Sequence, residues 1–307
     1  MPAVQHLRVT EAESGQKLLQ FLNRRLEGQI PRSALMRWIR TGQVRVDKSR
    51  CKPFDTLQAG QTVRVPPCSV EPVAPIDDSL QGNPFRLARV HEDDSLLVLA
   101  KPPNLPSQPG TGQTDSIVHR LKQAYADRAW MPTLVHRLDK ETSGLLLVAK
   151  TYGSLRHLQT LWQGGQVCKV YLAWVLGQTP WSGWSQIRDS LEQTIRRGKN
   201  TRPVSRRVTA VSMVRTIRRQ SSASLVAVRL VTGRKHQIRL QMAQRGHPVL
   251  GDSKYGQSRA GQGLLLHACY LAWEDRAFRL APSWLDEYSV SQEELEACLT
   301  DLPPDPA

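Results

Sequence analysis

The sequence predicts an α+β fold in which a mixed, mostly antiparallel sheet follows a small α/β module at the N-terminal end of the chain. Apolar runs with strand character recur at irregular spacing through the later part of the sequence, and amphipathic segments separate some of them. The first 66 residues instead show two stretches of helical periodicity before an alternating region. At 307 residues the chain is long enough for two such units.

The N-terminal module is predicted over residues 11–66. Its first helix is expected in GQKLLQFLNRRL (15–26), where apolar residues recur at helical spacing. A second helix is expected to begin near Pro31, because proline is tolerated at the first helical position, and to end at Thr41 and Gly42. The side chains expected to face inward on it are Leu35, Met36, Trp38 and Ile39. The alternating stretch QVRVDKSRCKPFDTLQAGQTVRVPP then predicts short strands.

A linker is predicted over residues 67–85, which are rich in Pro, Ser, Asp and Gly and lack periodicity. The second domain is predicted over residues 86–290. Its strands are expected in SLLVLAK (95–101), GLLLVAK (144–150), VYLAWVLG (170–177), SLVAVRLVTG (224–233) and LLLHACYLAW (264–273). Its helices are expected in residues 116–128, 154–165 and 236–246. Residues 291–307 form an acidic C-terminal tail, in which Ser291 begins a capping-box pattern typical of a short helix.

The charge of the chain points to a polyanionic partner. The formal net charge is +15 and the isoelectric point is near 10.1, although the segment after Pro282 is acidic, so the remainder is more basic still. Basic residues crowd the second helix of the module and the strand after it, which favours a phosphate-binding face over the alternative of a solvated surface. The residues assigned to this face are Arg37, Arg40, Arg45, Lys48 and Arg50.

Cysteine usage and the N-terminal residues favour a cytoplasmic protein. The five cysteines are far apart and form no Cys-x-x-Cys pair, so neither a disulfide framework nor a zinc knuckle is predicted. The first residues, MPAVQHLRVTEAESG, contain no apolar segment of the signal-peptide type, and no apolar run is long enough to span a bilayer.

Two stretches carry residues suited to chemistry. In VHRLDKETSGLLLVAK (135–150) one carboxylate, Asp139, lies among basic residues immediately before an apolar run. In VTGRKHQIRLQMAQRGHPVLGDSKYG (231–256) three cations, Arg234, Lys235 and Arg239, converge where a strand gives way to a helix. Such a cluster is unfavourable without an anion, which is either a phosphate or Asp139. A solvated loop is the alternative, and the sequence alone does not bring the two stretches together.

Two further motifs accompany these stretches: KPPNLPSQPG lies before them and CKVYLAWVLG lies between them. Together the four motifs resemble those of the RluA family of pseudouridine synthases. The four motifs occur in the family's order, and the resemblance covers nearly the whole chain. Residues 11–66 resemble the S4-type RNA-binding domain that precedes the synthase domain in some members. The resemblance implies isomerisation of specific uridines in large-subunit (23S-type) ribosomal RNA, free or in a pre-ribosomal particle, with no metal or cofactor.

The resemblance also implies roles for individual residues. Asp139 matches the family's essential aspartate, which acts on the ribose of a flipped uridine either as a base or as a nucleophile. Tyr171 matches a tyrosine that stacks on the extruded uracil, and Arg239 matches the basic residue that pairs with the aspartate. Arg137 matches an arginine that fills the space left by the flipped base. Arg234 and Lys169 are assigned to RNA contact, with a structural role as the alternative for Arg234. Whether Arg239 or Arg234 pairs with Asp139 stays open at this point.

Two alternatives remain open at this point. A non-catalytic RNA-binding or ribosome-assembly factor would account for the basic charge, although it has no chemical reason to keep Asp139, Tyr171 and Arg239 together. A DNA-binding regulator would leave the other motifs unexplained. The histidines His136, His236, His247 and His267 form no ligand pattern for a metal and are expected to bond backbone groups instead. The protein is expected to act as a monomer that does not bind a membrane.

Overall fold

The computed structural model describes residues 3–26, 30–68, 87–109, 115–125, 130–195, 204–256 and 263–304. The helices are α1 (Leu18–Arg25), α2 (Arg32–Arg40), α3 (Ile117–Ala124), α4 (Tyr152–Gln163), α5 (Gln237–Gln244) and α6 (Gln292–Ala297). The first strands are β1 (Gln5–Arg8), β2 (Arg45–Val46), β3 (Thr62–Val65), β4 (Ala88–Glu92), β5 (Leu96–Lys101), β6 (Thr133–Leu134) and β7 (Ser143–Ala149). The later strands are β8 (Cys168–Leu176), β9 (Ser185–Ile195), β10 (Val204–Arg219), β11 (Ala223–Leu230), β12 (Leu266–Trp273) and β13 (Arg276–Arg279).

The N-terminal module packs α1 and α2 against a small antiparallel sheet of order β1-β3-β2. Both predicted helices are confirmed, and Leu35 and Ile39 are buried on one face of α2 as expected for residues four apart. The prediction for Met36 is wrong, because the step of one residue from Leu35 turns its side chain toward solvent, and it is 36% exposed. Strand β1 lies before the predicted start of the module and was not predicted. Of the predicted linker, residues 69–85 lie outside the described residues.

The second part of the chain forms a large mixed sheet. Among the described residues the strand order is β4-β5-β7-β12-β8-β11-β10-β9, with β13 beside β12 and β6 beside β7. The pairing of β7 with β12 is parallel, and the others in this part of the described chain are antiparallel. The predicted mostly antiparallel sheet is therefore confirmed. In the described ranges we find no helix long and apolar enough to cross a membrane.

Strand alternation decides which side chains reach the α3 and α5 side of this sheet. Along β7, Leu146 and Val148 contact the cluster that contains α3 and α5, whereas Leu145 and Leu147 face the opposite cluster with α4. The same alternation on β8 puts Tyr171 on the α3 and α5 side. The predicted helices α3, α4 and α5 are confirmed, with Ser116 and Thr151 as side-chain N-caps of α3 and α4.

The acidic C-terminal segment packs on the opposite side of the sheet. Helix α6 begins after Ser291 with the expected capping box. Leu295 is buried beside β8 and β11 residues, and the indole nitrogen of Trp174 donates a 2.9 Å hydrogen bond to the carbonyl oxygen of Tyr288. Arg218 forms a 3.2 Å ion pair with Glu294. The segment is therefore a packed element of the second domain.

The N-terminal module contacts the second domain through Arg24 at the end of α1. The Arg24 guanidinium lies 3.7 Å from the ring centroid of Trp130 and donates hydrogen bonds of 2.8 Å to Thr133 Oγ1 and 3.2 Å to the Met131 carbonyl oxygen. Burial lowers the pKa of Arg24 to about 10, while Glu13 and Tyr152 oppose this change. Strand β6, which Arg24 holds, leads directly into the loop that carries Asp139.

The Arg24→Ala variant is expected to loosen this contact by about 2 kcal/mol, because a desolvated cation–π pair and two hydrogen bonds are lost. Hydrogen-exchange protection of the β6 amides should fall by about thirtyfold. The exposed Arg8→Ala variant serves as the control and should change nothing. Unchanged β6 protection in Arg24→Ala would mean that the contact does not hold the strand.

Candidate active site

Asp139 lies in the loop of residues 136–142, called the Asp139 loop, which joins β6 to β7. The loop is fastened by the segment that follows β5. The Ser107 hydroxyl donates a 2.7 Å hydrogen bond to the Leu138 carbonyl oxygen and accepts one of 3.0 Å from the Leu138 N–H. The motif KPPNLPSQPG, to which the sequence analysis gave no role, thus holds the backbone next to Asp139.

Lys101, the last residue of β5, is the second anchor of the loop. Its ammonium group donates to the carbonyl oxygens of Pro102, Leu105 and Lys140 at 2.8, 2.7 and 3.0 Å, and the residue is 2% exposed. The three N–H groups of a protonated lysine match these acceptors. Burial lowers the pKa of Lys101 to about 7, and the nearby negative charge of Asp139 opposes this change. Protonated Lys101 therefore anchors the loop and carries a positive charge near Asp139, and this charge is lost as the pH rises through about 7.

The Lys101→Met variant is expected to lose about 3 kcal/mol of unfolding free energy, since buried carbonyl oxygens are left without a donor. Any activity that depends on the position of Asp139 should fall as well, because the Lys140 end of the Asp139 loop is released. Urea unfolding checks the stability change. Lys150→Met, which removes a partly exposed ion pair with Glu92 and a hydrogen bond to the Asp93 carbonyl oxygen, is the matched control and should cost only about 1 kcal/mol. Equal losses in the two variants would contradict the anchoring role.

The loop is also fixed at its two ends. The buried His136 Nε2 accepts a 3.0 Å hydrogen bond from the Leu147 N–H, and its ring stacks on Trp162 with centroids 4.2 Å apart. Burial, helped by the charge of Lys169, lowers the pKa of His136 to about 3, so the ring is neutral. Gly144 has φ +116°, and a Cβ atom there would overlap the backbone of Ala268. Glycine is therefore required where β7 approaches β12.

A pocket of about 850 Å³ opens in front of the Asp139 loop. Its volume lies in the range of ligand sites in proteins. The lining includes the Asp139 loop, the proline-rich segment after β5, Tyr171 from β8 and the start of α5. Basic side chains on this lining are Arg137, Lys140, Lys169, Arg234, Lys235 and Arg239. The pocket thus suits an anionic ligand.

Within the pocket, Asp139 has three polar neighbours besides its own loop. Its side chain is 31% exposed, and its Oδ1 atom lies 3.8 Å from His236 Nε2. Tyr171 is 8% exposed; its burial, together with the charge of Asp139, raises the pKa of the phenol above its ordinary value, so the hydroxyl stays protonated. Lys101 is the third neighbour, from below. The carboxylate is therefore accessible to a ligand and has His236 as its nearest polar side chain among the described contacts, at 3.8 Å.

The predicted pairing of Arg239 with Asp139 is wrong for this structure. Arg239 donates through Nε and Nη2 to both carboxylate oxygens of Asp252 at 2.7 Å, and through Nη1 to Glu141 at 2.6 Å. Between these described residues there is no ion pair from Arg239 to Asp139. The bidentate acceptor Asp252 is fully buried and takes the fork of the guanidinium, which leaves Nη1 directed at Glu141.

The ion pairs of Arg239 with Asp252 and Glu141 instead link α5 and the GHPVLGD motif (residues 246–252) to the Asp139 loop. Burial alone would raise the pKa of Asp252, but the Arg239 hydrogen bond and the N–H groups of Tyr255 and Lys254 lower it below its ordinary value. Burial would likewise lower the pKa of Arg239, and the two carboxylates raise it above its ordinary value. Asp252 and Arg239 therefore stay charged, and their contact with Glu141 sets the position of the loop from its C-terminal side.

The other predicted site residues fall into two groups. Arg137 and Arg234 are exposed at the pocket rim, where Arg137 reaches Gln108 at 3.4 Å and Arg234 donates to the Thr209 carbonyl oxygen at 3.1 Å. Lys169 is 5% exposed, with its ammonium 5.1 Å from the Trp162 ring centroid, so RNA can reach it only through the pocket. Arg234 does not pair with Asp139 in the described contacts.

On the N-terminal module, four of the predicted phosphate-binding residues are exposed: Arg37, Arg40, Lys48 and Arg50. Arg45 is half-buried and bonds the carbonyl oxygens of Gly42 at 3.3 Å and Lys48 at 3.0 Å. It therefore braces the turn in which the exposed residues lie.

The sequence analysis missed Lys101, Ser107 and His236. The position of Lys101 at the end of an apolar strand could have marked it as a buried lysine. The carbonyl oxygens that accept its hydrogen bonds lie in loops that come together only on folding. The expectation that histidines bond backbone groups holds for His136, His247 and His267. It fails for His236, whose ring nitrogens face the side chains of Asp139 and Tyr255.

Comparison with known proteins shows a similar fold and a matching family. The solved structure of human RNA Pseudouridylate Synthase Domain Containing 1 superposes with a TM-score of 0.56 at 21% identity, covering 74% of this chain and 99% of that one. Residues 95–244 match the family model described as RNA pseudouridylate synthase. The matched region contains Asp139, Tyr171 and Arg239.

Curated relatives extend the similarity over the whole chain. A Vibrio parahaemolyticus protein named ribosomal large subunit pseudouridine synthase C is 32% identical, over 97% of this chain and 96% of its own length. The Escherichia coli K12 protein of the same name is 36% identical, over 88% of each chain. The chain therefore belongs to the RNA pseudouridine synthase family, a family of isomerases, as its motifs predicted.

Proposed function

We propose that this protein isomerises specific uridines in large-subunit ribosomal RNA to pseudouridine. The observation that carries the proposal is the position of Asp139, a partly exposed carboxylate in a pocket lined with basic residues. The names of the curated relatives support the substrate class, and the similarity runs through both domains.

In the proposed reaction a uridine swings out of the RNA into the pocket. Asp139 acts on its ribose while the glycosidic bond breaks, either as a base at the sugar or as a nucleophile at the anomeric carbon. The detached uracil turns, and a new bond forms from the anomeric carbon of the ribose to carbon 5. Carbon 5 then loses its proton and N1 takes up a proton, so the product is an isomer of uridine. Tyr171, whose raised pKa keeps the phenol neutral, stacks on the uracil.

The basic residues have separate parts in this proposal. Arg239 supports the site by fixing Glu141 of the Asp139 loop. Arg137 enters the gap that the flipped uridine leaves in the RNA, since a planar guanidinium both stacks on bases and bonds phosphate. Arg234 and Lys169 contact the RNA around the pocket.

The N-terminal module is proposed to be an S4-type RNA-binding domain, with Arg37, Arg40, Lys48 and Arg50 on its phosphate-binding face and Arg45 bracing that face. A synthase of this arrangement needs RNA of defined shape, so the substrate is ribosomal RNA or a pre-ribosomal particle. The proposal further includes a monomeric protein that works in the cytoplasm.

The test is carbodiimide-dependent primer extension on large-subunit ribosomal RNA after incubation with the protein. Wild type and the control Asp275→Ala, an exposed aspartate in the β12–β13 turn, should both produce new stops, and Asp139→Ala should produce none. The proposal is overturned if all three proteins bind the RNA tightly but none produces stops, both on free RNA and on pre-ribosomal particles. That outcome would favour a non-catalytic assembly factor.

A further inference from the structure

His236 has an unusual backbone and lies at the N-cap of α5, facing the Asp139 loop. Its φ of 54° and ψ of 25° are in the left-handed region, which non-glycine residues seldom adopt. Such a conformation costs free energy and persists where the surrounding structure enforces it, often at functional sites. The side chain makes no capping hydrogen bond to α5. Helix capping therefore does not explain the strained backbone.

The two ring nitrogens of His236 lie between Tyr255 and Asp139. The Nδ1 atom is 2.9 Å from the Tyr255 hydroxyl oxygen, and the Nε2 atom is 3.8 Å from Asp139 Oδ1. The histidine and tyrosine rings meet edge to face, with centroids 5.6 Å apart. The side chain of His236 is 14% exposed, so little water competes for these groups.

The protonation of the ring follows from its two partners. An ionised Asp139 only accepts hydrogen bonds, so an attractive contact requires a hydrogen on Nε2. In a neutral ring with Nε2–H, the Nδ1 atom is an acceptor and takes the hydrogen of the Tyr255 hydroxyl. The 3.8 Å separation is longer than a hydrogen bond. Contacts of this kind in free enzymes often shorten when the substrate binds.

We propose that His236 is a positioning residue that orients the Asp139 carboxylate, with Tyr255 holding the imidazole in its Nε2–H tautomer. One carboxylate oxygen is held by the imidazole, and the other is left for the ribose. This inference rests on the proposed function, because Asp139 is given its role there. No bond of the substrate is made or broken by His236.

The charges around the ring favour the neutral form that this role needs. Burial lowers the pKa of His236, Asp139 raises it, and the cations Arg239, Lys254 and Lys235 lower it, so that it lies below its ordinary value. These groups are Asp139 in the Asp139 loop, Arg239 on α5, Lys235 just before His236, and Lys254 in the turn that carries Tyr255. At low pH the imidazolium would pair tightly with Asp139 and weaken its action on the ribose.

A purely structural role, in which His236 and Tyr255 only join the start of α5 to the turn at residues 252–256, makes different predictions. The test therefore combines single-turnover kinetics, measured by tritium release from carbon 5 of labelled uridine in ribosomal RNA, with pH profiles. His236→Ala should slow the chemical step by about tenfold to a hundredfold with RNA affinity unchanged. His236→Gln, which keeps an N–H donor, should recover much of the rate, and Tyr255→Phe should lose about threefold.

The pH profile separates positioning from structure. The acid limb of the pH–rate profile should lie at lower pH in His236→Gln than in the wild type, because the variant cannot form the imidazolium. The control His247→Ala removes a 2.9 Å contact with the Leu176 carbonyl oxygen outside the pocket. It should lower stability without moving the acid limb. Equal rates for wild type and His236→Ala, or an unmoved acid limb in His236→Gln, would overturn the inference.

A measurement without turnover distinguishes this inference from the proposed function. In ¹⁵N-histidine spectra, His236 should show the Nε2–H tautomer, and Asp139→Asn should lower its pKa, since Asp139 raises it. If the wild type releases tritium but the His236 pKa is the same in the wild type and in Asp139→Asn, the positioning role alone is overturned. If the His236 pKa does depend on Asp139 but the wild type releases no tritium, the proposed function is overturned.

Discussion

The Asp139→Asn variant is expected to bind ribosomal RNA as tightly as wild type while forming pseudouridine slower by on the order of a thousandfold or more. Asparagine keeps the size of the side chain but removes the charge and the basicity on which action at the ribose depends. The basic pocket lining and the exposed arginines of the N-terminal module, which provide affinity for phosphate, are unchanged. Tritium release under single-turnover conditions measures the rate, and filter binding measures the affinity.

The stability of this variant provides a further check. Asp139 is partly exposed and makes no hydrogen bond through its side chain in the described contacts, so the unfolding midpoint should change little. Asp275→Asn, on the exposed β12–β13 turn, is the matched control and should keep the wild-type rate. A rate within tenfold of wild type for Asp139→Asn would remove the carboxylate from the chemistry.

The Arg239→Met variant is expected to be the most destabilised single variant considered, with a loss of about 3–5 kcal/mol of unfolding free energy. Methionine fills much of the volume but leaves the fully buried Asp252 carboxylate without its bidentate partner. Glu141 also loses its 2.6 Å partner, so the Asp139 loop is released and activity should fall even at temperatures where the variant stays folded. Urea unfolding and single-turnover rates at low temperature measure the two effects.

Two companion variants make the result specific. Arg245→Met, at the other end of α5 from Arg239, breaks a partly exposed ion pair with Asp189 of β9 and should cost only about 1 kcal/mol. Adding Asp252→Asn to Arg239→Met removes the unpaired buried charge and should restore part of the stability without restoring activity. Full activity in folded Arg239→Met would show that the link to Glu141 does not position the loop.

Local patterns predicted the elements of the fold well and their edges less well. The five apolar runs became β5, β7, β8, β11 and β12, because a strand buried on both faces shows as a continuous apolar segment. Strands β1, β4, β6 and β13 were missed, since short strands with mixed polar residues have little pattern of their own. The long strands β9 and β10 were also missed, because their many polar and basic residues interrupt the apolar pattern. They form through pairing with strands that already exist.

From the sequence alone, the ordered motifs and their resemblance to the RluA family predicted that Asp139, Tyr171 and a cluster of cations near α5 belong to one site, and all of them line one pocket in the structure. Only the tertiary structure decided which groups meet. It gave Arg239 to Asp252 and Glu141, and it brought Lys101 and His236 to Asp139. The physical reason is that an ion pair forms with whichever anion is closest and best aligned after packing, and residues 98 or 13 positions apart are brought together by the sheet and its loops.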